Sequence, residues 1–403
     1  MQKKALLVAV GMALAVQGAW AQKKEKPDPD SVVELYGKVY PEVYIPDSSG
    51  ATAAGVATCT ICTPAAGESA VVRRSMIEAS NSRFGVRGHE KLGPNLKAIF
   101  QLETQFLVDQ NNTPFAARDS FVGLASNWGT VKLGRMDTPF KEYGDDVSFL
   151  GVSSGNFMST STVYRHIGMG AQNNAARFHE RRINAVQYES PDFGPAEFKV
   201  QYSTNEADTA ARKPHVWSAG GQLEWGNFAI LLGYEMHRDL FGISNNIPAS
   251  MRNNTVATAR SKDEAYAIGF KWKWGSHQFE IDANKKRYKE DASVTGRIQE
   301  YENNAYLFLW DWRISQQWRL AAHYVRADAG SCKRLNAACN TDGLKGEQFS
   351  IGSSYYLSRR TYLFFVYSMV RNDISARFNP TFDDDVNPGE DIRQLGVGIH
   401  TMF

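Results

Sequence analysis

The chain contains four cysteines, which could bind zinc, take part in redox chemistry or form disulfides. Cys59 and Cys62 have the C-x-x-C spacing that serves zinc binding or redox chemistry elsewhere. Cys332 and Cys339 come much later, and all four lie in stretches rich in Gly, Ser, Ala and Asn. No histidine adjoins the C-x-x-C pair, and no βαβ pattern surrounds it. We therefore expect disulfides. Pairing within each loop is favoured, and a cross-link between the two loops stays open.

A second pattern carries catalytic associations. Gly151-Val-Ser153-Ser-Gly155 matches the G-x-S-x-G motif of serine hydrolases, which needs a strand before the serine and a helix after it. Here the motif lies within a polar loop, and the eight histidines are scattered. We interpret it as a chance match, with a barrel enzyme that uses Ser153 as a minor alternative. The sequence predicts no catalytic, metal or cofactor site.

The third feature is a set of charges around the longest polar connection, residues 137–178. A connection of this length is usually functional. The acids within it are Asp137, Glu142, Asp145 and Asp146, and the bases on the flanking segments are Arg83, Arg87, Lys97, Arg118, Arg135, Arg181 and Arg182. If the connection folds inward, its acids face a basic wall and create a transverse field that tunes permeability.

The elements that would position these charges show period-two alternation, which is typical of strands with two different faces. In residues 33–45 the apolar Val33, Leu35 and Val43 alternate with charged residues and tyrosines. Residues 96–106 and 266–274 repeat the pattern. This alternation places Arg83, Arg87 and Lys97 on the polar face. Strands near 179–190 and 305–313 have ambiguous facing, so the orientation of Arg135, Arg181 and Arg182 is left open, with a subunit contact as the alternative.

The connections between these strands alternate between short turns and long polar loops. Seven short turns and eight long loops join sixteen strands. This is the pattern of an outer-membrane barrel with both termini at the short-turn end. Unpaired backbone groups are costly in hydrocarbon, so the sheet must close. A sixteen-stranded barrel is too wide for side chains to fill, so water enters.

Composition and the N-terminus agree with this reading. Lys3 and Lys4 precede an apolar run and an Ala-x-Ala site, so residues 1–21 are predicted to be a secretory signal peptide and 22–403 the barrel. Aromatics make up 12% of the chain, although mean hydropathy is polar at −0.40. Without Lys3 and Lys4, 43 basic residues balance 43 acidic ones. Nothing indicates nucleic acid, and any charge selectivity must come from local placement.

Several motifs, taken in chain order, indicate a resemblance to a known family. They are Ser82-Arg-Phe-Gly-Val-Arg-Gly88, Leu96-Lys-Ala-Ile-Phe-Gln-Leu-Glu103, Phe121-Val-Gly-Leu124, Gly129-Thr-Val-Lys-Leu-Gly-Arg135 and Arg182-Ile-Asn-Ala-Val-Gln-Tyr188. With them, the chain from Leu35 to Phe403 resembles the general porins of β-proteobacteria. The resemblance implies a homotrimer in which the third long loop enters the lumen. It is also similar to members with an arginine-rich pore wall that prefer anions. The cysteine-bearing loops depart from the pattern.

These observations define the expected function. We predict an antiparallel sixteen-stranded barrel in the outer membrane, reached through the periplasm. It would pass small hydrophilic solutes and ions by diffusion, with a modest preference for anions, amid outer-membrane lipid and lipopolysaccharide. The last strand ends at Phe403 and resembles an assembly signal. Alternatives are a channel specific for a sugar or an organic anion, with Tyr36, Tyr40 and Tyr44 as a short aromatic run, and a soluble secreted β-protein. The cysteine loops are expected to order locally, without touching the narrow zone.

Overall fold

One antiparallel sheet accounts for nearly all of the regular structure. The computed structural model describes residues 30–109, 115–143, 159–169, 178–253, 259–381 and 385–403. The nineteen β-segments are β1 Ser31–Val39, β2 Glu42–Ser49, β3 Met76–Glu78, β4 Arg83–Gly93, β5 Leu96–Gln105, β6 Ser120–Ser126, β7 Gly129–Asp137, β8 Arg181–Glu189, β9 Ala196–Thr204, β10 His215–Trp225, β11 Phe228–Arg238, β12 Ser261–Trp274, β13 His277–Glu290, β14 Ile298–Arg313, β15 Trp318–Ala327, β16 Ser331–Arg334, β17 Gly346–Tyr356, β18 Thr361–Asn372 and β19 Asp391–Met402.

These segments form sixteen barrel strands. β1 and β2 form one strand, interrupted at Tyr40 and Pro41, and β3 and β4 form a second. β16 is an addition within a loop, where it pairs with the upper part of β14. Each strand pairs with its neighbours in sequence, and β19 pairs with both β1 and β2. The predicted closed, sixteen-stranded antiparallel barrel is therefore confirmed.

The helices are short. They are α1 Pro139–Tyr143 and α2 Ser161–Tyr164, with two 3₁₀ turns at Ser244–Asn246 and Ala249–Met251. Within the described residues, none of them has the length and apolar character needed to cross a bilayer. We number the long connections in chain order. The first loop is residues 50–75, the third 138–180, the fifth 239–260, the seventh 328–345 and the eighth 373–390.

Side chains alternate between an apolar outer face and a different inner face. On β12, Tyr266, Ile268 and Phe270 are exposed on the outside, whereas Ala265 and Ala267 are buried on the inside. The same alternation holds on β4 and β5, where the exposed apolar residues alternate with the charged ones. This arrangement is what a barrel in a lipid bilayer requires, because the outer face meets hydrocarbon and the inner face meets water.

Two strands with ambiguous alternation have separate structural explanations. In β8, Asn184 has a positive φ of 52°, and the pairing with β7 shifts register between Gly134 and Met136. As a result Ile183 and Val186, three residues apart, are both exposed. In β14 the alternation is regular, but Leu307 and Leu309 are buried on the inside while Tyr306 and Phe308 are exposed. Both faces of β14 are thus apolar, and periodicity alone could not separate them.

The C-terminal residue closes the barrel seam at its short-turn end. Phe403 exchanges two backbone hydrogen bonds with Gly37 of β1, with N···O distances of 3.1 and 3.2 Å. Its side chain is about half exposed, at 52%. Residues 1–21 lie outside the described part of the chain, so the signal peptide remains a prediction.

Candidate functional site in the lumen beside the third loop

Helix α1, at the start of the third loop, packs against the inner surface of β10 and β11. The Phe140 amide donates to Ser218 Oγ at 2.9 Å, and Ser218 is an inward-facing residue of β10. At Gly220 a Cβ would lie 2.7 Å from the Pro139 carbonyl oxygen, so only glycine allows α1 to approach this closely. α1 therefore lies inside the barrel.

Residues 159–169 of the third loop pack on another part of the inner surface. α2 contacts β14, β15 and β17. The Tyr164 carbonyl accepts hydrogen bonds from Asn284 Nδ2 and Lys286 Nζ, each at 2.7 Å. Arg165 is fully buried, and its Nη1 donates to the Phe140 and Phe178 carbonyls at 3.1 Å each. This guanidinium joins the parts of the loop, and the predicted inward third loop is confirmed for the described residues.

Three ionic groups line the lumen from β4 to β9, and we call them together the basic wall. The first group centres on Glu103 of β5. Arg118 Nε donates to Glu103 at 2.6 Å, Arg83 Nη1 lies 3.4 Å from the same oxygen, and the Tyr36 hydroxyl donates to the other oxygen at 3.0 Å. One acid thus holds two arginines, as expected for a pore wall with surplus positive charge.

Arg87 and Lys97 lie below this group, towards the short-turn end. Arg87 bonds to Glu34 at 2.9 Å and packs over the Tyr36 ring, with 4.7 Å to the ring centroid. It therefore reaches the first group through Tyr36. Lys97 is the second residue of β5, six positions from Glu103, or about 20 Å along an extended strand. The structure does not bring Lys97 to the narrow zone with the arginines, because its strand position fixes it near the turn.

The second group surrounds two acids at the third-loop entrance. Arg181 Nε donates to Asp119 at 2.6 Å and its Nη2 to Asp137 at 2.9 Å. Lys141 of α1 bonds to the other oxygen of Asp137 at 2.9 Å. Arg135 lies on the same strand as Asp137, two residues before it, and among the described residues no ion pair joins it to a carboxylate. Arg181 is thus a lumen residue, which settles its uncertain facing.

The third group links α1 to β7, β8 and β9. Lys199 Nζ lies 2.5 Å from Glu142 and 3.4 Å from Glu189, and Lys132 Nζ lies 2.6 Å from Glu189. The Tyr143 hydroxyl donates to Glu197 at 3.1 Å. Burial raises the pKa of Glu142 to about 7, despite the opposing attraction of Lys199. Glu142 faces a basic partner as expected, but that partner is Lys199, which was not among the predicted site residues.

The site includes residues that sequence reasoning did not select. Lys38 lies directly opposite Arg83 across the β1–β4 pair, and among the described residues it has no ion pair with a carboxylate. The second group also contains Asp119, and the third contains Lys132, Lys199 and Glu189. Alternation already placed Lys38 and Glu103 on the polar face. Recognising their role required the cross-strand register, which the sequence does not give.

The remaining predicted charges fall elsewhere. Arg182 is buried, lies 3.7 Å from Glu180 and packs against the Phe241 ring of the fifth loop at 5.7 Å. Its contacts are thus with loop residues and not with the ionic groups above. Asp145 and Asp146 lie outside the described residues, as does Ser153. Within the described residues no cluster of His, Cys, Asp or Glu could hold a metal ion.

Facing the basic wall is an inner surface of a different kind, which we call the apolar wall. It comprises inward residues of β14, β15 and β18, and all of them are buried. They are Ala305, Leu307, Leu309, Ala321, Val325, Ala327, Phe364, Val366 and Val370. Val163 and Tyr164 of α2 belong to the same cluster, as do Tyr40 and Tyr44. Helix α2 of the third loop therefore packs on the apolar wall, and the basic wall lies on the other side of the lumen.

Each cysteine pair closes within its own loop. Disulfides join Cys59 to Cys62 and Cys332 to Cys339, and no cysteine is free. Cys59 and Cys62 share a buried apolar cluster with Ile167 of the third loop. The first loop therefore contacts the described part of the third loop, while the expectation that the cysteine loops do not touch the narrow zone stays a prediction. These loops fold over the mouth of the barrel, a contact between distant segments that loop composition did not indicate.

Comparison with known proteins gives one family. The model of the Gram-negative porin family matches residues 5–375. The major outer membrane protein P.IB of Neisseria gonorrhoeae is 35% identical over 158 residues, which are 39% of this chain and 42% of that protein. P.IB of Neisseria meningitidis serogroup B is 29% identical over 162 residues, which are 40% of this chain and 44% of that protein. The match spans less than half the length of these curated relatives.

Solved structures share the fold. An anion-selective porin from Comamonas acidovorans superposes with a TM-score of 0.70 at 20% identity, covering 93% of this chain and all of that one. OmpT of Vibrio cholerae, solved in a trimer form, gives a TM-score of 0.62 at 14% identity, covering 93% of this chain and all of that one. At these identities the likeness concerns the fold alone. From the family match across residues 5–375, this chain belongs to the Gram-negative porins.

Proposed function

We propose that this protein is an outer-membrane channel through which small hydrophilic solutes and ions diffuse passively, with a modest preference for anions. The observation that carries the proposal is the charge balance of the basic wall. Its three groups hold six cations, Arg83, Arg118, Arg181, Lys141, Lys132 and Lys199, against five acids, Glu103, Asp119, Asp137, Glu142 and Glu189.

Two nearby charges complete this balance. Arg135 adds one cation and Glu197 adds one acid, so a surplus of positive charge remains among the described residues of the group. In a narrow, low-dielectric passage such a surplus concentrates anions. The mature chain is neutral as a whole, so this local surplus decides the preference.

Reversal potentials in planar bilayers under a salt gradient test the proposal. We expect the unmodified protein to favour anions. Replacing Arg135→Gln should reduce the preference, because among the described residues no ion pair joins Arg135 to a carboxylate. The matched control is Arg359→Gln, which removes the same charge from an exposed periplasmic turn. Absence of conductance, or cation preference in the unmodified protein at low salt, would overturn the proposal.

The outer face supports a homotrimer. Exposed tryptophans and other aromatics at the short-turn end, such as Trp225, Trp272 and Trp318, lie on β10–β15 and form the belt expected at a lipid interface. The outward residues of β19, β1 and β4–β6 include many aliphatic ones, for example Leu35 and Val122. A surface that is richer in aliphatic residues suits contact with another protomer.

A matched pair of variants tests this surface. Leu35 and Ile281 are outward aliphatic residues with exposed fractions of 64% and 57%. We expect Leu35→Asn to lower the temperature at which the trimer dissociates in mild detergent, and Ile281→Asn to leave it unchanged. A monodisperse monomer by sedimentation of the unmodified, folded barrel would refute the trimer.

The substrate-specific alternative has less support. A sugar-binding lumen needs accessible aromatic rings, but Tyr40 and Tyr44 are 0% and 1% exposed. Tyr36 is partly buried, and its hydroxyl is bonded to Glu103. A channel for an organic anion is compatible with the basic wall. Saturation of the current by such an anion, with a concentration dependence unlike that of chloride, would favour it.

Phe403 retains its proposed role as part of an assembly signal. Its backbone closes the seam with Gly37, while the half-exposed ring remains available to an assembly factor. We expect deletion of Phe403 to reduce the yield of folded protein in outer membranes more than the yield of refolding in detergent. Equal losses in both would indicate that the residue acts only through the seam.

A further inference from the structure

The outer loops make direct contact with the third loop. The Arg377 amide of the eighth loop donates to the Gly168 carbonyl at 2.7 Å. A Cβ at Gly168 would lie 2.8 Å from the Leu344 carbonyl oxygen of the seventh loop and 3.1 Å from the Phe378 ring. Two outer loops therefore converge on one glycine of the third loop.

The side chain of Arg377 joins two outer loops to each other. Its Nε donates to the Val386 carbonyl at 2.6 Å, and its Nη1 donates to Thr63 Oγ1 of the first loop at 3.1 Å. Its Nη2 lies 3.4 Å from the Asp385 carboxylate. The side chain is only 13% exposed. Through its backbone and its guanidinium, this residue connects the first, third and eighth loops.

The two disulfide-closed segments also form hydrogen bonds between the outer loops. The Cys59 amide donates to Ser375 Oγ of the eighth loop at 2.9 Å. The Thr60 amide lies 3.0 Å from Asn340 Oδ1, and the Asn340 amide donates to Thr60 Oγ1 at 3.1 Å. Thr60 lies inside the Cys59–Cys62 disulfide, and Asn340 directly follows Cys339. Each disulfide thus constrains the short segment that contacts another loop.

We infer that the first, seventh and eighth loops form an outer clasp that positions the third loop in the lumen, with Arg377 as its central positioning residue. The inference rests on the proposed channel function. In its described residues the third loop is held by individual hydrogen bonds and by side-chain packing, without a strand ladder, so its position depends on these contacts. Removing one of them shifts the population towards displaced arrangements. Because this loop lines the passage, its displacement changes the current.

Single-channel recording tests the clasp. We expect Arg377→Ala to raise the fraction of time in altered-conductance states roughly tenfold, the scale of a lost charged hydrogen bond, and to lower the voltage at which the channel closes. Both variants keep the backbone bond to Gly168, and both lose the guanidinium contacts. Arg377→Lys also keeps the positive charge near Asp385, so it should restore part of the normal behaviour. Arg359→Ala, in a periplasmic turn, is the control. Heat resistance of the barrel is measured in parallel and should change little.

A second measurement covers the case in which Arg377→Ala does not fold. Dithiothreitol added to the folded protein converts each disulfide to two thiols and is itself oxidised to its cyclic disulfide. We expect the same rise in altered-conductance states, reversed by reoxidation. Unchanged currents after complete reduction, or in a folded Arg377→Ala channel, would overturn the clasp while leaving the channel proposal intact. An unmodified protein without conductance would instead refute the channel proposal.

Discussion

The basic wall and the apolar wall occupy the same inner face of one barrel, yet they satisfy their side chains in opposite ways. On the basic wall, Glu103 and Asp137 each hold two cations and face the passage. On the apolar wall, Leu307 and Val366 are 2% and 0% exposed and pack in one cluster with residues of α2. Exposure does not separate the two walls, because Glu103 is 5% exposed and Leu307 is 2% exposed. The comparison teaches that the walls differ in what satisfies their buried side chains, which is opposite charge on one and apolar packing against α2 on the other.

The largest expected effect adds the same acid to each wall. Leu307→Glu places a carboxylate between Val325 on β15 and the buried Asp282 on β13, with no cation at either cross-strand position. It should lower the free energy of unfolding by about 3–5 kcal/mol, the scale for an unpaired buried charge. Gln187→Glu places a carboxylate opposite Lys132 in the β7–β8 register, where a cation compensates it. We expect that change to cost clearly less, because Lys132 offsets the buried charge. Urea unfolding in detergent measures both. Equal losses would mean that the walls do not differ in polarity.

The second comparison removes one negative charge from the basic wall and one from beside the apolar wall. Glu103→Gln frees Arg83 and Arg118, so the preference for anions should increase. Asp311→Asn leaves Arg319 on β15 without the bond that its Nε makes at 2.6 Å, beside the apolar wall. We expect it to shift the reversal potential less. The contrast should grow at low salt, where the screening length rises from ~10 Å at 0.1 M to ~30 Å at 0.01 M. A larger shift from Asp311→Asn would place the selective zone elsewhere.

The third prediction uses pH on the basic wall alone. Burial raises the pKa of Glu142 to about 7. Above this pH the carboxylate offsets the charge of Lys199, and below it the carboxyl is neutral. The preference for anions should therefore rise as pH falls from 8 to 6. In Glu142→Gln the preference should stay at its low-pH value throughout that range. Persistence of the full pH response in this variant would assign it to another group.

The smallest effect is expected from the tyrosines beside the apolar wall. Tyr40 and Tyr362 are buried, with their hydroxyl oxygens 3.4 Å apart, a long hydrogen bond. Tyr40→Phe should leave conductance unchanged and alter stability by less than about 1 kcal/mol. A disaccharide added to either side should not reduce the current. A current block by the sugar that disappears in Tyr40→Phe would instead revive the sugar-specific channel.

Much of the architecture was predictable from sequence because its signals are local. Alternation with period two identifies which face of β4, β5 and β12 points outward, since successive side chains project to opposite sides of a strand. The order of short turns and long loops gave the strand number. The same alternation placed Arg83 and Arg87 on the polar face, whereas Glu142 was selected because the longest loop was expected to fold inward. The facing of side chains on β8 could not be predicted because Asn184 interrupts the alternation. On β14 it could not be predicted because both faces are apolar.

What the sequence determined by itself is therefore the barrel, its closure and the polar character of part of its lumen. The tertiary structure decided which charges meet. Glu142 and Lys199 are 57 residues apart and pair only because α1 folds onto the inner wall. Thr60 and Asn340 are 280 residues apart and meet only because the closed barrel brings the first and seventh loops together. Strand periodicity is a property of neighbouring residues, whereas these contacts depend on how the whole sheet closes and where the loops then pack.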